Sequence, residues 1–232
     1  MVAIAPLPST PLPTASGAAA LLDAQSKRGR VLKRTGDIVF SLAVLGLGFP
    51  VLLAIAVAVK FSSRGSVFYV QRRIGRGYRS FGCIKFRTMR RDADRVLASV
   101  LAASPELQAE FKRDFKLKRD PRITPIGAFL RRSSLDELPQ FINVLRGEMS
   151  VVGPRPIVRD ELDRYGQNMD NVLSVRPGMT GLWQVSGRNN LSYQQRVQLD
   201  LYYTSNRSFW MDLGIVLRTI GVVLFPRDRG AY

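Results

Sequence analysis

The longest uninterrupted apolar run is Ile38 to Val59, 22 residues without a charge, enough for a helix to cross the ~30 Å hydrocarbon core of a bilayer. Cations flank it on both sides: Lys27, Arg28, Arg30, Lys33 and Arg34 precede it, and Lys60, Arg64, Arg72, Arg73, Arg76 and Arg79 follow. Only Asp37 opposes them. A straight span would leave one basic cluster outside, against the tendency of Lys and Arg at membrane ends to stay on the cytoplasmic side. Gly46, Gly48 and Pro50 interrupt the middle, and proline there removes a donor and clashes with the preceding turn. The pattern predicts a re-entrant helix-break-helix over 27–65 that enters and leaves by one face.

Further along, Ser66–Gln71 and Ser80–Arg87 read as strands around the turn Ile74-Gly75-Arg76-Gly77, a hairpin. The turn lacks the strand-loop-helix setting of a phosphate loop. Met89–Ala103 and Pro105–Leu117 read as amphipathic helices, with Val96, Leu97, Val100 and Leu101, then Leu107, Phe111 and Phe115, on one face. Phe209–Phe225 is apolar but interrupted by Asp212 and Arg218, which suits a helix lying in a membrane interface. Residues 1–26 are rich in Pro, Ala, Ser and Thr without a period and read as a disordered tail. No basic region precedes an apolar stretch there, so a secretory signal is disfavoured. The expected fold class is mixed α/β, mainly helical: a membrane hairpin over 27–65 and a cytosolic domain with interfacial helices and a small β-hairpin over 66–232.

Composition narrows the chemistry. Thirty-five Lys+Arg against 18 Asp+Glu leave a net charge of +17, which calls for an anionic partner. Of these cations 28 are Arg and 7 are Lys. The planar guanidinium grips phosphate through paired donors, although GC-rich coding produces the same skew. Phosphate, in nucleotide, lipid or nucleic acid, becomes the leading ligand class. The chain has no His and one Cys, Cys83. That excludes imidazole bases, Ser-His-Asp and Cys-His pairs, multi-Cys zinc sites and an intramolecular disulfide, and it suits a reducing compartment. Carboxylates, Arg, Lys, hydroxyls and backbone remain.

Two adjacent acidic pairs occur. Asp160-Glu161 falls in an amphipathic pattern with Ile157, Val158, Leu162 and Tyr165, and reads as a solvated face. Asp136-Glu137 falls at a helix start, where Ser134 and Glu137 fit a capping box. Arg131 and Arg132 lie just upstream of it, and Arg155 is stiffened between Pro154 and Pro156. Such a grouping can seat Mg²⁺ on carboxylates and a diphosphate on arginines, and a carboxylate can attack phosphorus. Asp92-Ala-Asp94 is a rival, a D-x-D suited to a glycosyltransferase that releases UDP, but its basic neighbours favour salt pairing.

Four blocks carry a resemblance: KRTGDIVFSLAVLGLGFP, GSVFYVQRRIGRGYRSFGCIKFRTM, DPRITPIGAFLRRSSLDELPQFINVLRGEMSVVGPRP and RPGMTGLWQVSGR. In this order they resemble the bacterial sugar transferases, monotopic polyprenyl-phosphate sugar-1-phosphate transferases, over about Lys33 to Tyr232. The resemblance implies a hairpin that stays in the cytoplasmic leaflet of the inner membrane, with its break at Pro50. It implies Asp136 as nucleophile, Glu137 as its partner, and Mg²⁺ held by both. Arg155 matches the family's Pro-Arg-Pro arginine and Arg131 the arginine before the dyad; Lys85 and Arg87, in the second block, count with them as phosphate-binding cations. The implied reaction moves hexose-1-phosphate, glucose or galactose, from a UDP-hexose to undecaprenyl phosphate and releases UMP, the first membrane step of exopolysaccharide synthesis. It implies no nucleic acid and allows a homo-oligomer. One departure stands out: relatives commonly have Ser before the break proline, and here Phe49 has no hydroxyl to offer. The competing reading is a membrane-tethered basic protein that binds nucleic acid or anionic lipid.

Overall fold

A computed structural model describes residues 27–114, 117, 119–187 and 190–224. The tail expected over 1–26, together with Phe115 and Phe225, lies outside them. Helix α1 (Lys27–Leu47) and helix α2 (Phe49–Ser62) meet at Gly48 with a bend of 63°. Pro50, near the start of α2, has no N–H to continue the ladder. Gly48 N–H still donates to Val44 O at 2.9 Å, and its own carbonyl accepts from Leu52 N at 2.9 Å. A Cβ at position 48 would lie 2.5 Å from Val44 O, so the corner requires glycine. The Phe49 side chain points outward, 63% exposed. The basic cluster ahead of the apolar run forms the first turns of α1. Among the described residues no single helix is long and apolar enough to cross a membrane, whereas this bent pair meets the criterion together.

Strands β1 (Phe68–Ile74) and β2 (Ser80–Phe86) pair antiparallel from Phe68–Phe86 to Ile74–Ser80. β1 starts and ends later than expected. The reversal is made by Gly77 and Tyr78 in left-handed conformation, with Gly75 N–H on Arg79 O, and β1 therefore continues to Ile74, which also bridges Ile157. Helices α3 (Ala93–Ala103) and α4 (Pro105–Asp114) follow. The helix expected from Met89 begins four residues later, because Met89 bridges Ile123 and Arg90 N–H bonds Arg122 O. Leu117, expected at the end of the next helix, is buried beyond it.

Thr124 caps α5 (Pro125–Ser133) by accepting from Gly127 N, with Pro125 as first residue. A 3₁₀ turn (Leu135–Glu137) leads to α6 (Gln140–Arg146). Short β3 (Ser150–Val152) lies parallel to β4 (Gly178–Thr180). The amphipathic helix expected around Asp160-Glu161 is a 3₁₀ turn (Arg159–Glu161) and two single turns, α7 (Leu162–Tyr165) and α8 (Met169–Val172), separated at Gly166, where φ is +53°. Asp160 is exposed there, and Glu161 accepts from Val158 N. Then come α9 (Leu182–Ser186), α10 (Tyr193–Asn206) and α11 (Phe209–Leu224). The main core joins Cys83 of β2, Phe141 and Val144 of α6, Val151 and Val152 of β3, Tyr203 of α10 and Ile215 of α11. The opposite side of α11 leaves Phe209, Trp210, Leu217 and Ile220 bare. The architecture is mainly helical with two small two-stranded sheets.

Candidate active site

The acidic pair sits on the 3₁₀ turn between α5 and α6. Ser134 ends α5 in left-handed conformation (φ +58°), and its side chain caps nothing. The capping box expected from the sequence is absent: Glu137 N–H donates to the Ser134 carbonyl at 3.3 Å, and the Glu137 carboxylate accepts from Lys85 Nζ at 2.6 Å. Lys85 comes from β2, which the buried Asn143 of α6 clamps in place. Asn143 Oδ1 accepts from Ile84 N at 3.0 Å, and Nδ2 donates to Gly82 O at 2.7 Å and to Glu148 at 2.6 Å. One fully buried amide therefore sets the register between the strand bearing the lysine and the helix that follows the dyad.

Asp136 is 8% exposed. Burial, reinforced by the neighbouring Glu137 charge, pushes its carboxyl up to about 6, against the pull of Lys85 and Arg131. For Glu137 burial also opposes ionisation, but the adjacent Lys85 ammonium, with Arg155 and Arg73 beyond it, outweighs that and holds the group below the usual carboxylate range. Two adjacent acids are thus pushed in opposite directions, as acid–base and nucleophilic sites require. Arg131, in the last turn of α5, donates from Nε to Thr88 Oγ1 at 2.9 Å, which aims it beside Asp136.

Glu137 opens onto a cleft lined by Arg73, Lys85, Gln140, Arg155 and Gln184, among others. Arg155 is presented by a doubly fastened loop. Gly178 N–H bonds Pro154 O at 2.7 Å, Ile74 N–H bonds Ile157 O at 2.8 Å, and Arg73 Nη1 donates to Pro156 O at 3.0 Å. Its guanidinium lies over Trp183, 5.9 Å from the ring centre, and Arg196 lies 5.1 Å from the same centre.

The structure therefore brings together Asp136, Glu137, Lys85, Arg131 and Arg155. It sets Arg87 elsewhere: that guanidinium donates to the carbonyls of Ser63 at 2.6 Å, Arg64 at 2.9 Å and Val59 at 3.4 Å, closing the end of α2. Asp92 pairs with Arg90 and Arg95 at 3.3 and 3.2 Å, the salt pairing expected of it. Among the described residues no group of three or more acids, His or Cys could hold a metal. Asp136 and Glu137 remain as adjacent hard oxygen donors, a set that fits Mg²⁺, which takes one or two carboxylates and completes its shell with water and phosphate. Arg73, Gln140 and Gln184 did not stand out in the sequence, because their place in the cleft depends on long-range packing.

The fold and site define a protein with an apolar, sharply bent helix pair attached to a cationic cleft with a carboxylate dyad at its edge. Residues 28–226 match the family described as bacterial sugar transferase, and the chain belongs to that family. It is 56% identical over 203 residues to an uncharacterized sugar transferase of Haemophilus influenzae, covering 88% of this chain and 42% of that one. It is 48% identical over 206 residues to the undecaprenyl-phosphate galactose phosphotransferase of Salmonella typhimurium, covering 89% and 43%. To the exopolysaccharide production protein ExoY of Rhizobium meliloti it is 49% identical over 204 residues, covering 88% and 89%. The chain thus spans about two-fifths of the first two relatives and most of the third.

Proposed function

We propose that this chain transfers hexose-1-phosphate, galactose or glucose, from a UDP-hexose to undecaprenyl phosphate, through a covalent phosphosugar on Asp136. The observation that carries the reading is the Asp136 carboxylate, only 8% exposed and with its pKa pushed up by that burial, beside a cleft lined by Arg73, Lys85 and Arg155. Above pH 6 that group is ionised yet poorly solvated, the condition of a reactive oxygen nucleophile. An Asp136 oxygen forms a bond to the sugar-bearing phosphorus while the bond from that phosphorus to the UMP oxygen breaks. An oxygen of the lipid phosphate then attacks the same phosphorus, and the acyl-phosphate bond breaks, which restores the carboxylate. The protein's work is positioning and neutralisation of charge. Arg155 and Lys85 take phosphate oxygens, Arg131 steadies Asp136, and Glu137 holds Lys85. Mg²⁺ held by Asp136 and Glu137 would neutralise part of the diphosphate charge. The bent pair α1–α2 and the bare face of α11 would seat the chain in the cytoplasmic leaflet of the inner membrane, where a lipid phosphate and a soluble nucleotide meet.

The test offers the chain, with Mg²⁺ and undecaprenyl phosphate, a panel of UDP-sugars and follows the nucleotide released. UMP is expected with UDP-galactose or UDP-glucose; release of UDP would instead point to Asp92 and Asp94. The Asp136→Asn chain should form no labelled adduct from UDP-hexose, and an adduct that persists would overturn the nucleophile.

A further inference from the structure

Arg73 is 7% exposed, and its guanidinium is only partly used by the protein. Nη1 donates to Pro156 O at 3.0 Å and Nη2 to Gln71 Oε1 at 2.8 Å. The Glu161 carboxylate is 3.9 Å away, at the edge of ion-pair range. The Nε atom is buried with no hydrogen-bond partner, and the side chain lines the cleft. Such a buried cation and an unmade donor together are costly unless an anion completes them. Charge in the cleft points the same way: Lys85 is answered by Glu137 at 2.6 Å, while Arg73 and Arg155 face each other as like charges, which with burial lowers the pKa of Arg73.

Bracing the Pro156 carbonyl does not require a charge, because a neutral amide donor of similar reach would serve. The Glu161 carboxylate answers the charge only at the edge of ion-pair range, and an entering phosphate would satisfy both the charge and the free Nε–H. We infer, resting on the transferase reading, that Arg73 is itself a phosphate-binding residue, contacting the nucleotide's phosphate through Nε beside Arg155. In-line displacement puts the departing nucleotide phosphate and the arriving lipid phosphate on the same side of the transferred phosphorus. Arg73 therefore serves the two in turn.

The test titrates the intact chain in detergent micelles with UMP by calorimetry, with uridine as the phosphate-free control. Arg73→Met should weaken UMP binding by about tenfold or more, the worth of a charge-assisted hydrogen bond, and leave uridine binding little changed. The same substitution made in an Arg155→Met background should still cost UMP affinity, though not by the same factor, because a direct contact between Arg73 and the phosphate does not depend on the Arg155 side chain. No loss, or a loss that vanishes in that background, would show that Arg73 only braces the Arg155 loop and would overturn the inference. Should Arg73→Met fail to fold, Arg73→Gln keeps a donor for Pro156 O and carries the same expectation. If the unmodified chain binds no UMP, the transferase reading itself falls. If it binds UMP with Arg73 dispensable, only this inference does.

Discussion

At Asp136 reactivity and stability oppose each other, and the direction of its pKa shift gives the sign of both. The carboxyl moves from an ordinary 3.8 to about 6 in the folded chain, first through burial and then through Glu137. Between those pH values the unfolded chain has released its proton and the folded chain has kept it, so stability falls as pH rises. The penalty is absent below pH 3.8 and complete above pH 6, where it amounts to roughly 3 kcal/mol at 1.36 kcal/mol per unit. Asp136→Asn removes a buried charge and should raise stability at pH 8 by up to about that amount, with the gain fading as pH drops from about 6 to about 4; denaturant melts at pH 8 and pH 4 read it directly. Activity runs the other way. The rate of UMP release should rise through an apparent pKa near 6 and level off above it. Lys85→Met, which removes a cation that lowers this pKa, should shift the rise to higher pH in a stopped-flow profile. Asp136, Glu137 and Arg155 were legible because each lies in a short local pattern, paired acids or an arginine between prolines. Arg73 looked like one more basic flank of the apolar run, since only the folded strand turns it inward.

The end of strand β2 and the residue after it join the hairpin to the cleft, through three consecutive residues with different tasks. Lys85 holds Glu137, Phe86 packs with Ile55, Val59 and Leu130, and Arg87 closes the carbonyl end of α2. A cation at a helix C-terminus satisfies orphan carbonyls and suits the dipole. Arg87→Met should therefore lower stability by about 1–2 kcal/mol and leave UMP affinity unchanged, whereas Lys85→Met should lose UMP affinity; calorimetry and melts on the same two variants separate the roles. At this scale the sequence showed which elements exist better than where they stop. Apolar periodicity disclosed α1, α2, α3 and α11. The first residues of α3 were misread because Met89 and Arg90 are claimed by backbone bonds to residues 122–123, and the capping box was misread because Lys85 competes for the Glu137 carboxylate. Such partners lie tens of residues away, beyond the reach of a local pattern.

Across the whole molecule, one buried carboxylate fastens the hairpin to the body that carries the dyad. Asp37 of α1 is 4% exposed and accepts from Ser150 Oγ at 2.8 Å, Val151 N at 3.1 Å and Lys33 Nζ at 3.0 Å. Lys33 also reaches Asp212 of α11 at 2.9 Å, and the Tyr203 hydroxyl of α10 lies 2.8 Å from that same Asp212. Four elements, α1, β3, α10 and α11, are thereby tied through two acids and one lysine. Arg34 adds two bonds, to Val144 O at 2.6 Å and Leu145 O at 3.0 Å at the end of α6. In the sequence Asp37 is only the lone acid among flanking cations, and its β3 partners lie more than 110 positions on. Removing it would strand the buried Val151 N–H, leave the Ser150 hydroxyl only Val152 O at 3.0 Å, and cost Lys33 one of its two acids, a loss on the order of 3 kcal/mol. Asp92 offers the contrast, since its pairs with Arg90 and Arg95 are on the surface, where such bridges are worth about 0–1 kcal/mol. Asp37→Ala should therefore lower the melting midpoint in detergent far more than Asp92→Ala. Because the hairpin rests on that joint, Asp37→Ala should also expose the otherwise 1% exposed Cys83 to a thiol reagent before global unfolding. A chain in which Asp37→Ala and Asp92→Ala melt together, with Cys83 equally protected, would show that hairpin and body are held by apolar packing alone.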